Sequence, residues 1–147
     1  MITQSTAAPG VNGIEALSGA IDQPVRHRLD ILVIDDDELT RRGLEISLGH
    51  LGHLVLSADG IKSASSMLRT FDFDLLICDL RLPDGTGVDI LDHLPRKSPR
   101  MPAILLTGAA LEQVPVQKDA SFDAYLQKPL DFGLLQRAVC KLLGRPL

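Results

Sequence analysis

From Asp30 onward the chain alternates short apolar runs with longer stretches in which apolar residues recur at helical spacing. The runs are ILVI (31–34), HLVLS (53–57), LLIC (75–78), AILL (103–106) and AYLQ (124–127), each of strand length. Between the first two, ELTRRGLEISLGHLG puts Leu44, Leu48 and Leu51 at positions i, i+4 and i+7 of one helical face, with Gly52 as the stop. GIKSASSMLRTF carries Ile61, Ala64 and Leu68 on one stripe, and VDILDHL predicts a short third helix. DFGLLQRAVCKLLG sets Leu135, Val139 and Leu142 on a common face. The segment ALEQVPVQKDA predicts a fourth helix that is short, kinked or irregular, because Pro115 removes a backbone donor and clashes one turn back.

Five strand-helix pairs in this order predict an α/β domain with a parallel sheet covered on both faces, since near-continuous apolar runs mark strands buried on both sides. Right-handed crossovers leave few topologies for such a sheet. Ligands of open parallel sheets bind outside the carboxyl ends of the strands, so the polar residues there are the candidates for chemistry. Residues 1–28 have a different character. They are rich in Ala, Gly, Ser and Thr, with an apolar rhythm only in GIEALSGAI, and read as a flexible N-terminal extension or linker before a domain of residues 29–147.

Composition narrows the function classes. At 147 residues, 45% apolar and 23% charged, the chain suits one globular domain with a sizeable core. A net charge of -4 gives no electrostatic reason to expect direct nucleic-acid binding, which needs clustered Lys and Arg. Cys78 and Cys140 lie far apart in apolar segments without metal-ligand spacing, and read as reduced thiols. The N-terminus lacks a basic region and hydrophobic run, and no apolar stretch approaches the roughly 18 residues of a membrane span. The expectation is a cytoplasmic protein with no membrane contact.

The strand ends concentrate unusual chemistry. Asp35-Asp36-Asp37-Glu38 follows the first run, Ser57 closes the second, Asp79 follows the third, Thr107-Gly108 the fourth and Lys128-Pro129 the fifth. Taken singly, Asp36 or Asp37 reads as a helix N-cap, Thr107 as a turn residue, Lys128 as a surface charge and Asp79 as a turn residue near Pro83 and Gly85. Together they read differently. Two carboxylates about 4 Å apart repel by on the order of 4 kcal/mol at an effective dielectric near 20, so a cluster of them needs a cation. Magnesium, held through one or two carboxylates, waters and a phosphate oxygen, suits a sparse acidic cluster better than calcium. A carboxylate, a metal, a hydroxyl and an ammonium at one point also describe an aspartyl-phosphate site.

ILVIDDDE, LLICDLRLPDGTG, ILLTG and AYLQKPL together resemble the receiver domains of two-component response regulators, from about Asp30 to Gly144. The spacing agrees, with 43 positions from Asp36 to Asp79, 28 from Asp79 to Thr107 and 21 from Thr107 to Lys128. The resemblance implies a doubly wound, flavodoxin-like sheet of five parallel strands in the order 2-1-3-4-5, with helices on both faces. It implies that Asp79 takes a phosphoryl group from a histidine kinase, a histidine phosphotransfer protein or a small acyl phosphate. Magnesium, with manganese as a substitute, would be bound by Asp36 and Asp79, by Asp35 directly or through water, and by the backbone carbonyl of Arg81. Lys128 would pair with a phosphoryl oxygen, ahead of a cis peptide to Pro129. Thr107 and Tyr125 would form a switch pair that alters a protein-interaction surface. The chain would then be a signalling domain that assists its own phosphorylation and dephosphorylation, the latter tuned at Arg81. Gly108, where the family usually has Ala or Ser, should widen access for an acyl phosphate. Pro115 interrupts the fourth helix, so the family's helix-mediated dimer is not carried over.

Two rivals come from other classes. VIDDDEL also offers the Asp-x-Asp of a haloacid-dehalogenase-type phosphatase, with Asp35 as nucleophile, but a Thr after that pair, a late acidic pair and a cap insertion are not clear in the sequence. The second is a receiver-like interaction module that is never phosphorylated. Only three residues follow Gly144, which predicts no output domain after it. A stand-alone receiver acting on an unidentified output protein, and a receiver from a hybrid kinase or larger regulator, both fit. LRLPDGTG resembles receivers fused to sensor kinases, which makes a phosphorelay role the second choice.

Overall fold

The structure is a computed structural model that describes residues 27–96, 99–108 and 122–147. Its five parallel strands are β1 (Asp30–Ile34), β2 (Leu54–Ala58), β3 (Leu75–Asp79), β4 (Ala103–Thr107) and β5 (Ala124–Gln127). They hydrogen-bond in the order β2-β1-β3-β4-β5, the doubly wound sheet that the sequence resemblance implies. Strands β3 and β4 are buried at every position, which explains why their sequences are continuous apolar runs. The predicted irregular segment around Pro115 and the N-terminal extension up to residue 26 lie outside the described residues.

Side-chain alternation divides the core in two. Leu32, Ile34, Leu76, Cys78 and Leu105 face one way, onto helix α2 (Ile61–Thr70) and the short helix α3 (Gly87–Ile90). Ile31, Val33, Leu75, Ile77, Ile104 and Leu106 face the other way, onto α1 (Glu38–His50) and α4 (Phe132–Leu143). The predicted stripes supply these contacts: Leu44 and Leu48 on α1, Ile61, Ala64 and Leu68 on α2, and Leu135 and Val139 on α4 are all buried. Fully burying one of these Leu, Ile or Val side chains is worth about 1.5–3 kcal/mol. The third predicted helix is shorter than its sequence suggested, since α3 passes into a 3-10 turn at Leu91–His93.

The two edges of the sheet are built differently. At the amino edge, side chains close the backbone: Asp30 N–H donates to Asp74 Oδ2 at 2.8 Å, Ala103 N–H to Asp123 Oδ2 at 2.8 Å, and Leu29 N–H to His53 Nδ1 at 3.0 Å. At the carboxyl edge the same strands end in Asp35, Asp79, Thr107 and Lys128. Past β3, a hairpin pairs Arg81–Leu82 with Gly85–Thr86. Its turn residue Asp84 reaches across to cap α2, accepting the N–H groups of Ile61 and Lys62.

Candidate functional site

Each candidate residue is delivered by the carboxyl end of a strand of the parallel sheet. Asp35, 1% exposed, follows β1, while Asp36 next to it is exposed at the bend before α1. Asp37 is the N-cap of α1, accepting the Leu39 N–H and the Thr40 hydroxyl, as one reading of the acidic run expected. Asp79 closes β3 and Thr107 closes β4, 9% and 2% exposed. Lys128 follows β5, its N–H donates to the Thr107 carbonyl at 2.7 Å, and its peptide to Pro129 is cis.

The carboxylates of Asp35, Asp36 and Asp79 present oxygens that all lie within 4.8 Å of one another. Among the described residues one cation meets them: Lys128 Nζ is 2.7 Å from Asp35 Oδ2 and 3.3 Å from Asp79 Oδ2. Burial first, and then the Asp35 charge, raises the pKa of Asp79 above its ordinary value, against the opposing pull of Lys128. Burial works against the charge of Lys128, but the hydrogen bond and charge of Asp35, with the charge of Asp79, outweigh it and hold the ammonium above the ordinary lysine value. Three carboxylates and one ammonium leave surplus negative charge in a half-buried site. That surplus and the all-oxygen donor set fit a hard divalent cation.

The remaining candidates fall around this centre. Thr107 and Tyr125 lie on the same face of the sheet: the register sets Leu105 opposite Tyr125 and Thr107 opposite Gln127, and Tyr125 packs on the Leu105 side of the core. In this structure the Tyr125 hydroxyl accepts the N–H of Phe122 at 3.2 Å. Arg81 sits in the hairpin opposite Thr86 with its side chain exposed. Gly108 is exposed, with open space where a Cβ would stand.

Sequence reasoning missed three supports. Gly87 presses on the backbone beneath Asp79, since a Cβ there would stand 2.4 Å from the Asp79 carbonyl oxygen. Asp84 reads locally as a turn residue, yet it caps a helix 22 to 23 positions earlier. Arg41 donates from Nη1 to the Asp35 carbonyl at 2.6 Å. A cation in the first turns of a helix works against the helix dipole, which was the available signal that Arg41 had another partner.

A five-stranded doubly wound parallel sheet with an acidic trio and a lysine at its switch point defines a phosphoacceptor domain of the chemotaxis-regulator type. The comparisons agree: the response regulator receiver domain family matches residues 31–140, and the chain belongs to that family. Among curated proteins it is 35% identical over 118 residues to the response regulator protein PilR of Pseudomonas aeruginosa, covering 79% of this chain and 26% of PilR. It is 33% identical over 117 residues to the KDP operon transcriptional regulatory protein KdpE of Escherichia coli, covering 79% and 52%. The chain thus spans between a quarter and about half of these relatives. Among solved structures, a CheY-like receiver domain from Methanospirillum hungatei superposes with a TM-score of 0.72 at 28% identity, covering 80% of this chain and 95% of that one. The non-phosphorylated HemR receiver domain from Leptospira biflexa gives 0.67 at 27%, covering 82% and 99%.

The chain is therefore a phosphoacceptor receiver domain of a two-component system, and the phosphatase reading is set aside. The geometry agrees, because both carboxylate oxygens of the buried Asp35 are already engaged, by Asp37 N–H at 2.9 Å and by Lys128 Nζ. Receiver domains work with histidine kinases and output domains, which makes this a signalling domain. Among the described residues no helix is long and apolar enough to cross a membrane.

Proposed function

We propose that Asp79 is the phosphoacceptor. The observation that carries this reading is its position: a carboxylate at the open edge of the sheet, beside Asp35 and Asp36 and 3.3 Å from Lys128 Nζ. An Asp79 oxygen attacks phosphorus, the bond from phosphorus to the donor's imidazole nitrogen or acyl oxygen breaks, and the leaving group departs with that bond's electron pair. Lys128, already bonded to Asp79, is placed to follow the incoming phosphoryl oxygens, and Asp35 keeps the ammonium oriented until then.

Asp36 and Asp79 would hold magnesium, with Asp35 directly or through water and the Arg81 carbonyl. The ion would neutralise charge on the transferring group. Thr107 turns its hydroxyl to the phosphate, and Tyr125 exchanges its bond to Phe122 for an inward position on the same face of the sheet. If the active conformer is about 1% populated without phosphate, inverting that ratio takes roughly 5.5 kcal/mol of differential stabilisation, within reach of several charge-assisted contacts.

The proposed donor is a histidine kinase or a histidine phosphotransfer protein, and the reader is an output protein that senses the Tyr125 side of the domain. The proposed location is the cytoplasm. Residues 29–147 form the receiver and the preceding segment a linker; nucleic-acid contact is not assigned to this acidic domain. The test is incorporation of labelled phosphate from acetyl phosphate with magnesium. Wild type should acquire an acid-stable, base-labile label that Asp79→Asn lacks. Loss only on Asp35→Asn, or no label at all, would contradict the assignment.

A further inference from the structure

We infer that Arg41 is a positioning residue of the cation site, acting through the peptide between Asp35 and Asp36. This rests on the reading that the acidic cluster binds magnesium. The Arg41 guanidinium, half-buried at the start of α1, donates to the Asp35 carbonyl oxygen at 2.6 Å. Asp35 is held at every other polar atom as well: its N–H donates to the Ala58 carbonyl at 3.1 Å, Oδ1 accepts from Asp37 N–H at 2.9 Å, and Oδ2 accepts from Lys128 at 2.7 Å.

Asp36 is the opposite case. It is exposed, and among the described residues its side chain makes no hydrogen bond or ion pair, although its carboxylate belongs to the cluster. The direction of Asp36 is therefore set by its backbone. The peptide that joins it to Asp35 is planar, so fixing the Asp35 carbonyl also fixes the Asp36 nitrogen and the bond that leads to its Cα. Arg41 grips that plane. Its neighbour Arg42 pairs with Glu38 along the outer face of the helix, a contact that serves only the helix itself. Outer groups that orient metal ligands are worth a measurable share of metal affinity even though they never touch the ion.

The experiment is calorimetric titration of the whole chain with magnesium chloride, beside thermal unfolding without magnesium and the acetyl phosphate reaction across magnesium concentrations. Arg41→Gln and Arg41→Met remove the grip, Met keeping the apolar stem, and either one that unfolds cooperatively carries the test. The magnesium Kd should rise about tenfold while the rate at saturating magnesium stays within about twofold of wild type, with Arg41→Lys recovering part of the affinity. A merely structural role would lower the unfolding midpoint and leave the Kd where it is, and that result overturns the inference. So does a lower saturating rate at unchanged Kd. A wild-type chain that binds no magnesium overturns this inference together with the cation-site reading, whereas binding by wild type and an unmoved variant overturns this inference alone.

Discussion

Asp84 accepts the N–H of Ile61 at 2.8 Å and that of Lys62 at 2.9 Å, so the N-terminus of α2 is capped by the loop that follows β3. The residue at the cap position of α2 is Gly60, which has no side chain to do this, and a Cβ on it would meet Asp84 Oδ1 at 2.8 Å. One empty position and one distant carboxylate thus form a single cap. Gly60→Ala and Asp84→Asn should each lower the thermal midpoint, and the double variant should lose less than the two losses added, because each single change spoils the same contact. Full additivity in calorimetry contradicts the shared cap.

The same contact sets a pH dependence. The backbone hydrogen bonds from Ile61 and Lys62 hold the Asp84 carboxyl below its ordinary value of 3.8. A depressed folded value gives stability that is present above the unfolded pKa and is lost as pH falls through the folded one. The stability gap between wild type and Asp84→Asn should therefore be widest above about pH 5 and close in more acidic solution. A gap that does not change with pH argues against the ionised cap.

For Asp79 the sign reverses. Burial and the Asp35 charge raise its pKa, so the stability linked to this residue is full below the unfolded value and is lost as pH rises through the folded one. Asp79→Asn should unfold at a higher temperature than wild type near neutral pH without magnesium, and the advantage should shrink towards acid. Magnesium at ten times its Kd should stabilise wild type by about 1.4 kcal/mol and the variant less. Equal magnesium stabilisation of both would place the cation elsewhere.

Lys128 neutralises a carboxylate that is 1% exposed. Lys128→Met leaves Asp35 without its cation and should cost about 2 kcal/mol in urea unfolding, below the full range for a buried pair because the ammonium retains some water. Adding Asp35→Asn should restore much of that loss. A double variant no more stable than Lys128→Met contradicts the pairing.

Much of this molecule was legible in its sequence because its central strands β1, β3 and β4 are buried on both faces, and burial writes itself as unbroken apolar runs. The run HLVLS placed β2 one residue early, since His53 precedes the strand and turns its ring to accept the Leu29 N–H. The candidate cluster was legible because parallel topology gathers strand ends: Asp35 and Asp36 follow one strand, and Asp79, Thr107 and Lys128 stand at the ends of three others. Asp84 and Arg41 were not. The first acts on a helix 22 to 23 residues away, and the second on a backbone carbonyl, an acceptor that no side-chain pattern advertises.

The two thiols should separate cleanly. Cys78 is fully buried, and burial, with the Asp79 and Asp35 charges, pushes its thiol far above the ordinary range, whereas Cys140 lies exposed on α4. An aromatic disulfide reagent should label one thiol rapidly in the native protein and the second only on unfolding. Two fast thiols would contradict the packing of β3 on α3.

The central claim is the identity of the phosphorylated residue, and chemical mapping tests it most directly. Borohydride reduces an aspartyl phosphate to homoserine, which marks the acceptor for peptide sequencing by mass spectrometry. After reaction with acetyl phosphate and magnesium, homoserine should appear at position 79 and not in the magnesium-free control. Homoserine at Asp35 or Asp36, or an unmodified Asp79 in protein that has incorporated phosphate, would contradict it.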